Sequence, residues 1–148
     1  MTVPYAAGPL AILVSSVRDI VAQLTPTYFF KRGPIDYTSW PYERYGRTIS
    51  LQVDESTMFK EMNEAVLTFE LSWRIAGAPG GDEVTSIDDG VQDEMRGHLY
   101  YIINKMRTWT LDSGDPLVIG ATFTQPVTEF HDTSLGMQGI SYTFTISY

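Results

Sequence analysis

The residues Gly139 to Tyr148 read Gly-Ile-Ser-Tyr-Thr-Phe-Thr-Ile-Ser-Tyr. Ile140, Tyr142, Phe144, Ile146 and Tyr148 fall on one side, and Ser141, Thr143, Thr145 and Ser147 on the other. An unbroken period of two predicts a strand with one face on a core. Two further stretches alternate in the same way. In Arg47 to Val53, Ile49, Leu51 and Val53 oppose Thr48, Ser50 and Gln52. In Glu64 to Ile75, Leu67, Phe69, Leu71, Trp73 and Ile75 oppose Val66, Thr68, Glu70, Ser72 and Arg74. The short link between them predicts an antiparallel pair.

Two stretches follow a helical period instead. After Gly8-Pro9, the residues Leu10, Leu13, Val14, Val17, Ile20, Val21 and Leu24 recur at spacings of three and four, up to Thr25-Pro26. Proline is tolerated in a first helical turn and disfavours a helical residue before it, so these bound one amphipathic helix. A second helix is predicted from Ser86, with Asp89 three residues on as an acidic capping partner. Its apolar stripe is Ile87, Val91, Met95, Leu99, Ile102, Met106 and Trp109, with His98 at the edge. Asp88, Asp89, Asp93 and Glu94 lie in its first half, and Lys105 and Arg107 in its last turns, an order that complements the helix dipole. Gly90 and Gly97 each cost about 1 kcal/mol against Ala in a helix, and Gly97 would permit a close neighbour.

Leu117 to Thr124 is predicted as a strand with Leu117, Ile119, Ala121 and Phe123 on one face. Pro126 places a bulge or an edge there, and Val127 to Phe130 continue the strand. His131 to Gln138 then form a polar hairpin tip before the final strand. The expected fold is α+β: an antiparallel sheet of four to five strands with two amphipathic helices packed on one face. The other sheet face is polar and faces solvent or the lumen of an oligomer. The length fits a single domain over 1–148.

Composition narrows the partners. The net charge of −8 argues against non-specific binding to nucleic acid, which needs a basic surface. An acidic protein can still line a passage for DNA, because repulsion prevents sticking. The absence of cysteine excludes a disulfide scaffold, a thiolate metal site and a Cys nucleophile. Leu10 to Val14 is apolar, but no charged side chain precedes it and Arg18 and Asp19 soon follow, so it is not expected to be a secretory signal. No run approaches the roughly 20 apolar residues of a membrane helix, so no membrane association is expected.

The chemistry is sparse. The sequence has no Gly-x-Ser-x-Gly, no phosphate loop and no Gly-x-Gly-x-x-Gly. Gly80-Gly81 lacks the lysine of a phosphate loop, and the neighbouring Asp82 and Glu83 would repel phosphate. His98 and His131 are the two histidines, and adjacent His131-Asp132 would not converge on one ion. No catalytic residue, cofactor or metal is expected.

One segment departs from the acidic balance. Lys31, Arg32, Arg44 and Arg47 interleave with Tyr28, Phe29, Phe30, Tyr37, Trp40, Tyr42 and Tyr45. Prolines and glycines within 27–46 preclude a long regular element, so residues 28–46 are expected to be an aromatic and basic arm or extended loop. Basic plus aromatic composition suits a single-strand nucleic-acid platform. It equally suits a protein interface anchored by Trp, Tyr and Arg, and the global negative charge favours this. The candidate interface residues are Phe30, Arg32, Tyr37, Trp40, Tyr42, Arg44 and Tyr45.

A short acidic cysteine-free chain with this order (helix, arm, strand pair, capped helix, closing Ser/Thr-alternating hairpin) resembles the tail terminator, or tail completion, proteins of long-tailed bacteriophages. The ending Gly139-Ile140-Ser141-Tyr142-Thr143-Phe144-Thr145 is similar to theirs. The resemblance implies a non-enzymatic virion protein, assembled in the host cytoplasm at the head-proximal end of the tail. It implies a homohexameric ring that caps the tail tube protein, ends polymerisation and offers a surface to the head completion or connector protein. DNA would pass through the lumen without specific binding. Two alternatives stand beside it: a head-to-tail connector or neck subunit, and a small metal- or ligand-binding enzyme module using His131 and nearby carboxylates.

Overall fold

The structure is a computed structural model that describes residues 8–36, 47–57, 63–74, 88–109, 118–123, 125–132 and 137–148. Two helices lie on one face of a six-stranded sheet, an α+β layering in which each element buries its apolar side against the other layer. The strands run in the order β1-β2-β3-β6-β4, with β5 also paired to β6.

Helix α1 (Pro9–Val21) starts on an extended Gly8 with Pro at its first position, where a missing N–H costs nothing. Leu10, Leu13, Val14, Val17 and Val21 form its buried face. It ends a turn earlier than its apolar spacing predicts. Gln23 N–H donates to Ile20 and Leu24 N–H to Val21, so tighter turns replace the last helical one, and Leu24 still packs on the core.

The next strand, β1 (Tyr28–Arg32), lies parallel to β2 (Arg47–Thr57), with Tyr28 opposite Arg47 and Arg32 opposite Leu51. Antiparallel pairing throughout was expected, and this pair corrects that. A parallel pair needs a crossover of roughly a dozen or more residues, and positions 33 to 46 supply it. The predicted arm therefore begins as an edge strand. Gly33 leaves the strand at φ 101°, which suits glycine, and its N–H donates to Leu51 O at 2.9 Å.

Three long strands make the centre: β2, β3 (Glu64–Arg74) and β6 (Met137–Ser147). As expected, β2 and β3 are antiparallel; β3 and β6 are antiparallel over eleven residue pairs. Ile49, Leu51, Leu67, Phe69, Leu71, Ile140, Tyr142, Phe144 and Ile146 cover the helix-facing side and are all buried. Phe69 and Phe144 stack at 6.1 Å between ring centres. Burying a side chain of this size contributes about 1.5–3 kcal/mol, and this layer forms one half of the described core, with the helix residues as the other.

The second helix, α2 (Asp89–Met106), is capped by Asp88, whose carboxylate accepts from Val91 N–H at 3.2 Å. The start expected at Ser86 moves accordingly; Ser86 and Ile87 lie outside the described residues. Met95, Leu99, Ile102 and Met106 are buried as the stripe predicted, and so are Gln92 and Ile103.

The outer edge of β6 is shared. β4 (Gly120–Thr122) pairs with Gly120 opposite Ser147, and β5 (Thr128–Asp132) with Thr128 opposite Ser141. The strand expected over 117–124 is thus only three residues long, and Ile119 is exposed rather than inward. The interruption lies around Pro126, which has no N–H to donate. The hairpin tip is shorter than expected, because His131 and Asp132 belong to β5 and Met137 already belongs to β6. Among the described residues the sheet has six strands, close to the four to five expected.

Candidate interaction surfaces

Gln138 lies in the first turn of pleat of β6, facing α2. Its amide is fully used: Nε2 donates to Asp88 O at 3.0 Å and to Gln92 Oε1 at 2.9 Å, and Oε1 accepts from Asp88 N–H at 2.9 Å. Gln92 Nε2 donates in turn to Gly139 O at 2.6 Å. Both glutamines are buried. A buried amide with all its groups satisfied fixes geometry, and here it fixes the start of α2 onto β6. Gly139 is held equally closely from the other side, since a Cβ there would strike Leu71 O and would come within 2.6 Å of the Phe130 ring.

On the sheet face away from the helices, Thr68 and Thr143 hydroxyls meet at 3.1 Å across β3 and β6. Ser141, Thr143, Thr145 and Ser147 are half-buried, and a groove of about 360 Å³ runs between Gln125, Pro126, Thr128, Ser141 and Thr143. The expectation of an open polar face holds for this part. It fails at the other end of the strands, where Thr48, Ser50 and Ser72 are fully buried. Ser50 Oγ has no hydrogen-bond partner among the described residues.

A titratable cluster joins β1, β2 and α2. The Tyr28 hydroxyl and His98 Nδ1 are hydrogen-bonded at 2.9 Å, with the rings edge-on at 84°. Arg47 forms an ion pair with Glu94: Nη1 lies 3.0 Å from Oε1, and the aligned hydrogen bond runs from Nη2 to Oε2 at 3.2 Å. The guanidinium also lies 5.7 Å from the Tyr28 ring centre and 6.0 Å from that of Trp73. Burial pushes the Tyr28 hydroxyl up to about 12, with the Arg47 charge opposing it. Burial also holds His98 below the usual imidazole range. The hydrogen bond from Arg47 lowers the Glu94 carboxyl. A tyrosine this weakly acidic and a carboxylate held in an ion pair make a poor acid–base couple at neutral pH. The cluster is built to join α2 to the β1–β2 edge.

Among the described residues no three His, Asp or Glu side chains gather closely enough to hold a metal. His131 and Asp132 are consecutive on β5 and so project to opposite faces. Of the predicted interface residues, Phe30 and Arg32 are described. Phe30 is half-buried against the core with the Arg18 guanidinium 5.2 Å above its ring. Arg32 is exposed and lines a groove of about 400 Å³ with Pro9, Glu55, Asn63 and Tyr148. Tyr148 OH donates to Glu55 there at 2.9 Å. Tyr37, Trp40, Tyr42, Arg44 and Tyr45 lie outside the described residues.

A second aromatic surface was not anticipated. Tyr100 and Tyr101 on α2 are 47% and 43% exposed, and Phe123 after β4 is exposed beside them. Tyr100, Ile103, Arg107, Phe123, Val127 and Tyr142 line a groove of about 250 Å³. Cations sit over the rings: Arg107 at 5.5 Å from Phe123 and Lys105 at 5.7 Å from Tyr101. The signal in the sequence was two consecutive tyrosines on a helix whose stripe is already filled by Leu99 and Ile102. No protein-family model matches the chain, and comparison with curated proteins yields no match.

Proposed function

We propose that this chain is a structural virion protein that closes into a ring on the end of a long-tailed phage tail tube. The ring ends polymerisation of the tube and presents the surface to which the head connector attaches. The observation that carries this reading is the order of elements: a helix, a short edge strand, a strand pair, a capped helix and a Ser/Thr-alternating closing strand, with both helices on one sheet face. That order resembles tail terminators.

Two properties support it. The net charge of −8 suits a ring through which DNA passes without being held. The half-buried hydroxyl face of β6 suits a lumen or subunit contact, being polar without basic groups. A non-enzymatic role is part of this reading, and the mutual contacts of Tyr28, Arg47, Glu94 and His98 are compatible with it.

Cross-linking during assembly tests the reading. Contacts with tail tube subunits are expected. Contacts with head completion proteins alone would overturn it in favour of a neck subunit.

A further inference from the structure

The outward face of α2 has a pattern that the core does not explain. At 100° per residue, Asp89, Asp93, Gly97, Tyr100, Asn104 and Arg107 fall within one exposed sector, with Gly90, Glu94, Tyr101 and Lys105 beside them. Acids occupy the first half, tyrosines and cations the second. Gly97 lies at the middle, and a Cβ built there would meet nothing within 4 Å. Among the described residues nothing therefore requires glycine at this point of the helix.

Dipole compensation explains where the charges sit. It does not explain two adjacent tyrosines left exposed one turn after an unnecessary glycine. Such a face, acidic at one end and cationic and aromatic at the other, is complementary to a copy of itself turned end for end.

We propose that two copies of this chain pair through the exposed face of α2, antiparallel and across a two-fold axis level with position 99 along the helix. An alignment that places Tyr101 of one copy opposite Gly97 of the other also places Lys105 opposite Asp93, twice over by symmetry. The glycine lets the helix backbones approach and the tyrosine fills the gap. Tyr at the centre, with opposite charges at the rim, matches the composition of protein contacts. The second copy is favoured over another anionic partner because this chain itself supplies the complementary acids in the right register. A two-fold contact closes on itself and does not propagate a ring. This pairing therefore describes the free protein and does not rest on the virion reading.

Sedimentation equilibrium of the full chain at moderate salt tests it. The wild type is expected at twice the chain mass. Gly97→Gln is expected to be monomeric with an unchanged or raised Tm, since glutamine favours helix. Asp93→Lys and Lys105→Asp alone each raise the dimer Kd by about tenfold or more, because two attractive pairs become repulsive. The double variant Asp93→Lys/Lys105→Asp restores the dimer. A wild type that stays monomeric at every concentration overturns the proposal. So does a dimer or larger assembly indifferent to Gly97→Gln, or a double variant that fails to recover.

Discussion

Tyr28 and His98 lie seventy residues apart and share a 2.9 Å hydrogen bond between the tyrosine hydroxyl and Nδ1. His98 is held below its ordinary range by burial and by the Arg47 charge, against the opposing pull of Glu94. The folded protein thus binds a proton at His98 less readily than the unfolded chain. Stability is full above the unfolded value of about 6.5 and declines as pH falls through it toward the lower folded value. Glu94, whose folded value is lowered, adds a separate loss at more acid pH. Thermal melts from pH 7.5 to 5.5 are expected to show falling Tm in the wild type and a flatter profile in His98→Gln, which does not titrate. Equal slopes would remove His98 from the account.

The Gln138 amide makes a second long-range tie. Gln138→Leu leaves the part-buried Asp88 N–H and the buried Gln92 Oε1 without this partner. A loss of about 2–3 kcal/mol is expected in urea unfolding, the range for orphaned buried groups. A change below about 0.5 kcal/mol would show that water or a rearranged Gln92 takes over.

Much of the architecture was legible from periodicity, and the departures have physical causes. β2, β3, β6 and both helices bury one face against the same core, so their patterns are strong. β1 is five residues long, Tyr-Phe-Phe-Lys-Arg, and offers no alternation from which to infer a parallel partner across a crossover. Gln92 and Gln138 occupy inward positions but are polar, so a search for apolar stripes passes over them although Gln92 has the right spacing to Met95 and Leu99. Pro126 suggests a bulge or an edge in one continuing strand, whereas β4 and β5 on either side of it are separate strands. The arm was read from composition, and most of its aromatic residues fall outside the described structure. The exposed Tyr100 and Tyr101 became visible only when the fold showed which helix face was already filled.

Gly139 sits between Leu71 O and the Phe130 ring. Gly139→Ala is expected to destabilise by about 2 kcal/mol or more, as overpacking of a tight site does. Phe130→Ala in the same chain should not rescue it, because the carbonyl is backbone and cannot be trimmed. Full rescue in an equilibrium unfolding comparison would mean the ring alone sets the limit.

Trp40→Ala and Tyr42→Ala probe the arm. Each is expected to weaken assembly on tail tubes by about tenfold, the scale of an interface anchor, while circular dichroism melts remain within about 0.5 kcal/mol of wild type. A collapse of several kcal/mol instead would identify them as core residues.

Imaging purified protein mixed with tail tubes by negative stain tests the central claim most directly. The account predicts six-fold rings seated on one end of each tube, with tube growth halted where a ring is present. A protein that never occupies tube ends, and leaves their growth unchanged, would contradict it.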